Sequence, residues 1–225
     1  MTKVEASPVA FFDLDRTILS INSASRWIQY EFTRGRIGLK EVFRAGAWVI
    51  RYHLGEEIQG ALRDAIKTLE GEFEYILRQR THHFYYNHVQ GKERRGALAA
   101  LESHRHRGHR IVLLTSASTY LAEVVAENFK LDGFLCTQFE VDHLGCFTGR
   151  PQEPLCYGFG KLDLARTYLQ AEGGSLEDAY FYTDSMSDID MLSAVGHPIV
   201  VNPDPRLKGR AKSNGWPVVD WGKPL

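Results

Sequence analysis

Val9-Ala10-Phe11-Phe12-Asp13-Leu14-Asp15-Arg16-Thr17-Ile18-Leu19 is the stretch from which the rest of the chain is read. Its apolar start does not alternate with polar residues and is rich in aromatic and branched side chains. That pattern predicts a buried central strand of a parallel sheet. Asp13 then falls at the strand's carboxyl end, where open α/β sheets place their ligands. Two carboxylates one residue apart are costly there. At about 4 Å, like charges repel by roughly 4 kcal/mol at an effective dielectric near 20. Either a cation sits between them or one is protonated, and both outcomes point toward chemistry. By itself the stretch also reads as an aspartate-rich turn after a strand, so the decision rests on the remaining sequence.

The 225 residues, 44% of them hydrophobic, suit one domain with a large insertion or two small domains. A net charge of -1 gives no electrostatic case for a nucleic-acid partner. The first twenty residues lack a basic start followed by an apolar core, so no signal peptide is expected. No apolar run approaches the roughly 20 residues needed to cross a bilayer. The best candidate, 42–54, is broken by Arg44, Arg51 and His53 and reads as a soluble amphipathic helix. Cys136, Cys146 and Cys156 recur at a spacing of ten. An odd number of cysteines argues against a disulfide framework, and the spacing lacks the close pairs of a zinc site. The expectation is a cytoplasmic protein with ordinary thiols and no membrane partner.

Beyond the opening strand, residues 20–90 change character. Apolar residues recur at roughly helical spacing in three groups: Trp27, Ile28, Tyr30 and Phe32, then Val42, Phe43, Trp48, Val49 and Tyr52, then Ile58, Leu62, Ile66 and Leu69. Frequent glycines keep the helices short. This segment reads as a helical insert whose aromatic stripe is its core. From residue 91 an α/β rhythm returns, with a charged helix over 92–107 ending at Gly108 and a buried strand over 111–118. His104, His106 and His109 before that strand read as a solvated helix end. A helix over 120–129, a hairpin over 135–148 near the sheet edge, and a helix from Gly158 follow. Next come a buried strand over 179–183, a short helix, a strand over 198–201, a closing helix over 206–214 and an edge strand over 218–220. Alternating strands and helices predict an α/β fold, a doubly wound parallel sheet covered on both faces. The domain expectation is a core of residues 1–19 and 91–225 with a helical cap of residues 20–90.

Four elements stand at strand ends or helix starts: Asp13 with Asp15, Thr115 with Ser116, Lys161, and Asp184 with Asp188. Strand ends of one parallel sheet converge on one face, so these residues can meet. Four carboxylates with one lysine need a divalent cation. Oxygen ligands without histidine or thiolate favour Mg²⁺ over zinc. A hydroxyl and an ammonium reaching one point suit the oxygens of a phosphate. Together these parts describe phosphoryl transfer through an aspartyl-phosphate.

The motifs Asp13-Leu14-Asp15-Arg16-Thr17, Thr115-Ser116-Ala117-Ser118, Lys161 and Asp184-Ser185-Met186-Ser187-Asp188, with the segment from Val195 to Asp204, resemble the haloacid dehalogenase (HAD) superfamily in its phosphoserine-phosphatase-like branch. The resemblance implies a Rossmann-like core with an inserted helical cap, and Mg²⁺-dependent hydrolysis of a phosphomonoester. It implies Asp13 as nucleophile and Asp15 as the acid that protonates the leaving alcohol and then deprotonates water. The Asp13 carboxylate, the Asp15 backbone carbonyl and the Asp184 carboxylate would hold the metal. Ser116, or Thr115 beside it, would hydrogen-bond the phosphoryl group, and Lys161 would neutralise it. Asp188 would orient Lys161 or a metal-bound water, and Thr17 would brace the turn.

The substrate implied is a small phosphorylated metabolite, phosphoserine-like or histidinol-phosphate-like. Phosphoserine phosphatases place a glutamate five residues after the threonine to read the substrate amine; that position is Asn22 here, which lacks the charge. Arg63 falls where those enzymes use an arginine for the substrate carboxylate. A phosphonatase-type HAD hydrolase, with Lys67 as its cap lysine, and a phospho-accepting regulatory module without turnover are the alternatives.

Overall fold

The computed structural model describes residues 7–39, 43 and 59–222. The second aromatic group of the insert lies outside these residues apart from Phe43, as does the amphipathic helix read over 42–54. The strands are β1 (Val9–Phe12), β2 (Arg110–Ser118), β3 (Gly133–Thr137), β4 (Phe139–Val141), β5 (Phe147–Pro151), β6 (Tyr180–Thr183), β7 (His197–Val201) and β8 (Val218–Val219). The described helices of the first half are α1 (Ser23–Thr33), α2 (Gln59–Lys67), α3 (Glu74–Phe84) and α4 (Arg95–His106). Those of the second half are α5 (Thr119–Phe129), α6 (Phe159–Glu172), α7 (Ile189–Ala194) and α8 (Pro205–Asn214).

Six strands form one sheet in the order β3-β2-β1-β6-β7-β8, and every neighbouring pair is parallel. The chain steps outward from β1 through β2 to β3, then returns to place β6 on the other side of β1. That reversal is the topological switch point, where open sheets leave a crevice beyond the strand ends. Successive side chains of a strand face opposite ways. Val9 and Phe11 therefore pack against Leu162, Leu169, Leu192 and Leu207 of α6, α7 and α8. Ala10 and Phe12 face Ala97, Leu101, Leu121 and Val125 of α4 and α5. All four β1 residues are buried because both faces are covered, which is why the run does not alternate. The fold is a doubly wound α/β sheet, as expected.

Tyr30 of α1 and Phe84 of α3 join the same buried cluster as Ile18 and Leu19. Leu77 of α3 packs with Tyr120 at the start of α5 and Phe147 of β5. Residues 135–137 of the expected hairpin segment belong to β3, the edge strand of the main sheet, and the hairpin itself, β4 with β5, forms a separate two-stranded antiparallel sheet just beyond it. The Phe147 carbonyl accepts the Gly71 N–H and the Phe147 N–H donates to the Glu72 carbonyl, at 2.9 Å each. Its ring finds burial beside Tyr120 and Leu77, so the hairpin follows the insert.

The histidine cluster is a second correction. His106 is exposed, but His104 is fully buried, with Nε2 at 2.9 Å from the Tyr182 hydroxyl and Nδ1 at 3.0 Å from Nδ1 of His109. Burial above all, with Arg107 and His109 nearby, pushes its pKa down to about 3, so the ring is neutral. Its face of α4 lies over Phe12, where no solvent remains to stabilise a charge. The three cysteines are free thiols. No described helix is long and apolar enough to cross a membrane.

Gly160 opens α6 at a close approach: a Cβ there would stand 1.9 Å from the Leu155 carbonyl oxygen. Gly160→Ala must displace the first turn of α6, and urea denaturation is expected to show a loss of about 1–3 kcal/mol. An unchanged midpoint would contradict the close approach.

Candidate active site

After β1 the chain turns back through Leu14–Ile18, closed by the Leu19 N–H on the Leu14 carbonyl at 2.9 Å. Arg16 takes a left-handed φ of 58°. For a residue with a Cβ this costs on the order of 1–2 kcal/mol. The Arg16 N–H donates to the Ile21 carbonyl at 2.9 Å, and Arg94 Nε holds the Arg16 carbonyl at 3.1 Å. The turn brings Thr17 back under Asp13. Thr17 Oγ1 donates to Asp13 Oδ2 at 3.3 Å and accepts the Asp184 N–H at 3.0 Å. One hydroxyl thus joins the ends of β1 and β6.

Lys161 lies in the first turn of α6, whose N-cap Gly158 has a φ of 55°. Its Nζ donates to Asp13 Oδ1 at 2.7 Å and to Asp188 Oδ2 at 2.9 Å. All three side chains are buried. Asp188 Oδ2 also accepts the Thr183 hydroxyl at 2.6 Å, a partner that sequence reasoning missed. The other oxygen, Asp188 Oδ1, is buried without a hydrogen-bond partner. Asp15, half-buried, accepts Ser23 N–H on Oδ1 at 2.6 Å and Ser23 Oγ on Oδ2 at 2.9 Å. Ser23 opens α1, and its place just after a good N-cap residue was the available sequence signal.

The other proposed site residues are engaged as follows. Ser116 Oγ donates to the Cys156 carbonyl at 2.8 Å, and the buried Thr115 Oγ1 accepts the Ala117 N–H at 3.1 Å. Asn22 is the N-cap of α1, its Oδ1 accepting both N–H and Oγ of Ser25 at 2.9 Å. Arg63 on α2 forms an exposed ion pair with Glu153. The structure therefore links the side chains of Asp13, Thr17, Lys161 and Asp188 in one network, which Asp184 joins through its main-chain N–H. Asn22 Oδ1 and the Arg63 guanidinium make their hydrogen bonds outside this network.

Charge in this network is unbalanced. Burial, which outweighs Lys161, pushes the Asp13 carboxyl up to about 7, with Asp188 and Asp15 adding to it. Burial and the Asp13 and Asp188 charges push Asp184 up to about 8. Burial also raises Asp15, against the two Ser23 hydrogen bonds. Burial alone would lower the Lys161 ammonium, but Asp13 and Asp188 outweigh it and hold its pKa above the ordinary lysine value. Such a donor set of oxygens, short of positive charge and with one orphaned buried carboxylate oxygen, fits a hard divalent cation. Among the described residues no three His, Cys, Asp or Glu side chains form a complete cage. The fit is therefore to a cation that keeps several waters of its own.

The sequence model of the haloacid dehalogenase-like hydrolases matches residues 10–193. A phosphoserine phosphatase of Mycobacterium tuberculosis is 28% identical over 224 residues, 97% of this chain and 72% of that protein. A histidinol-phosphatase of Neisseria meningitidis is 27% identical over 232 residues, 95% of this chain and 98% of that one. A solved protein of unknown function from Bordetella pertussis matches with a TM-score of 0.87 and 26% identity, over 96% of this chain and 100% of the other. A substrate-bound phosphoserine phosphatase shares the fold, with a TM-score of 0.70 at 16% identity over 97% and 95% of the two chains. The chain belongs to the haloacid dehalogenase-like hydrolase family. It is a hydrolase of the phosphatase class.

With Asp13 and Asp184 raised, the metal-free fold binds more protons than the unfolded chain between roughly pH 4 and the folded values of about 7 and 8. These two groups therefore remove stability as pH rises through that window. In chelator, the melting temperature is expected to fall between pH 5.5 and 8. Added Mg²⁺ should raise it more at pH 8, where the ligands are already ionised. A magnesium shift of equal size at both pH values would contradict this electrostatic account.

Proposed function

We propose that this protein is a Mg²⁺-dependent phosphomonoesterase that works through a phosphorylated Asp13 on a small phosphorylated metabolite. In this reading residues 20–90 are a cap over a core of residues 1–19 and 91–225. The observation that carries it is the buried Lys161 ammonium shared by Asp13 at 2.7 Å and Asp188 at 2.9 Å, at the carboxyl end of the switch-point strand. That ammonium offsets part of the burial that raises Asp13 and engages Oδ1, so Oδ2 is the oxygen assigned to react.

The Asp13 carboxylate oxygen attacks phosphorus, and the bond to the ester oxygen breaks. Asp15, kept available for protonation by its burial and oriented by Ser23, gives its proton to the departing alkoxide. Asp15 then takes a proton from water as the water's oxygen attacks phosphorus, and the bond to Asp13 breaks with release of inorganic phosphate. Ser116, by rotating its hydroxyl away from the Cys156 carbonyl, and Lys161 bind the phosphoryl oxygens. Asp188 and Thr183 position Lys161, and Thr17 positions Asp13. The Asp13 and Asp184 carboxylates with the Asp15 main-chain carbonyl would hold Mg²⁺, which supplies charge neutralisation of the phosphoryl group. The relatives named for phosphoserine and for histidinol phosphate support a small metabolite as substrate. Lys67, the lysine a phosphonatase reading would use, is exposed, which favours the phosphatase reading.

Continuous phosphate release from a generic aryl phosphate is expected, abolished by chelator and by Asp13→Asn. Turnover surviving Asp13→Asn removes the nucleophile, and a single phosphate released per chain would support the regulatory module instead. Asp15→Asn is expected to slow turnover by about 10²–10⁴-fold in steady-state assays while phosphate still binds. An unchanged rate would refute its acid–base role.

A further inference from the structure

The turn after β1 docks on the segment just before α4. The Ser20 N–H donates to the Lys92 carbonyl and the Arg94 N–H to the Ile18 carbonyl, at 2.8 Å each. The half-buried Arg94 side chain reaches further back along the turn. Its Nε holds the Arg16 carbonyl at 3.1 Å, and its Nη1 donates to the Gly222 carbonyl.

Gly222 is itself fixed. Its N–H donates to Asp220 Oδ1 at 2.8 Å, and the Trp221 N–H donates to Asn202 Oδ1 at 3.0 Å. The Trp221 ring stacks on Tyr182 at 5.3 Å and covers Gly96, where a Cβ would stand 2.2 Å from it. One arm of the guanidinium fork is thus anchored outside the turn, which sets where the other arm points.

What the fork holds is the backbone around Arg16. A peptide unit is planar, so the Arg16 N–H on the Ile21 carbonyl at 2.9 Å also fixes the line of the Asp15 carbonyl. Arg94 fixes the following peptide through its carbonyl. With both planes held, Arg16 keeps its left-handed φ of 58°. Without the second bond, an arginine there is driven to relax toward negative φ, which turns the Asp15–Arg16 peptide and its carbonyl.

We propose that Arg94 is a positioning residue for Mg²⁺: by locking Arg16 left-handed, it holds the Asp15 main-chain carbonyl in one orientation for the ion. The proposal rests on the metal-dependent reading above.

The test measures Mg²⁺ affinity by titration calorimetry. Arg94→Met is expected to raise the Kd at least fivefold, and the Mg²⁺ concentration for half-maximal turnover of an aryl phosphate moves with it. The cost of a left-handed arginine corresponds to roughly 5–30-fold. Glycine adopts positive φ without that cost. In an Arg16→Gly background the same Arg94→Met change is therefore expected to move the Kd less than twofold. Arg94→Lys, which keeps the charge but not the fork, is the second variant, with the same direction and the same suppression by glycine. A protein merely loosened by losing Arg94 would lose Mg²⁺ affinity equally in both backgrounds. That result, or a Kd unmoved in both Arg94 variants, overturns the assignment. Calorimetry needs no turnover, so an inactive wild type that binds Mg²⁺ overturns the phosphatase reading alone, and one that binds no Mg²⁺ overturns both.

Discussion

A lysine removed from water and held between two aspartates organises this molecule. Burying an ammonium is unfavourable by itself, and so is burying either carboxylate. Lys161, Asp13 and Asp188 become tolerable only together, at 2.7 and 2.9 Å. That requirement ties the end of β1, the first turn of α6 and the turn after β6 to one point. Thr183 takes part in holding Asp188, and Thr17 spans from Asp13 to the Asp184 main chain. The arrangement is a structural clamp whose parts are also the groups proposed to react.

The topology explains why the clamp forms here. β1 and β6 are neighbours reached by opposite excursions of the chain, so the loops beyond them diverge and leave a crevice. The backbone is bent to serve that crevice, with Arg16 in a left-handed conformation and held there from both its N–H and its carbonyl. Strain of this kind persists where surrounding bonds over-determine it. The single ammonium does not neutralise the acids around it, and Asp13 and Asp184 answer by rising toward neutrality. An additional cation resolves the same imbalance while leaving both carboxylates ionised. The electrostatics and the proposed chemistry thus have one cause.

A cavity lies in a different part of the chain. The helices of the insert present aromatic surface to it, and Glu31, Arg36, Arg80 and Glu72 pair with one another there. Two positions that resemblance assigned to substrate reading, Asn22 and Arg63, serve as a helix cap and a surface ion pair.

Local sequence determined much of this protein. The unbroken apolar run of β1, the alternation of strands and helices, and the four acidic, hydroxyl and lysine motifs at element ends made the doubly wound sheet and the candidate residues of the site legible. Those features depend on periodicity and on where a strand stops, which neighbours in sequence set. Tertiary structure alone decided the partners: Ser23 on Asp15, Thr183 on Asp188, the hairpin joined to Gly71 and Glu72, and His104 buried beneath Phe12 and Tyr182. Lys161 meets Asp13 across 148 residues, and Thr17 meets Asp184 across 167. Which polar group satisfies which, and whether a histidine is wet or dry, depends on distances that only the packed chain defines.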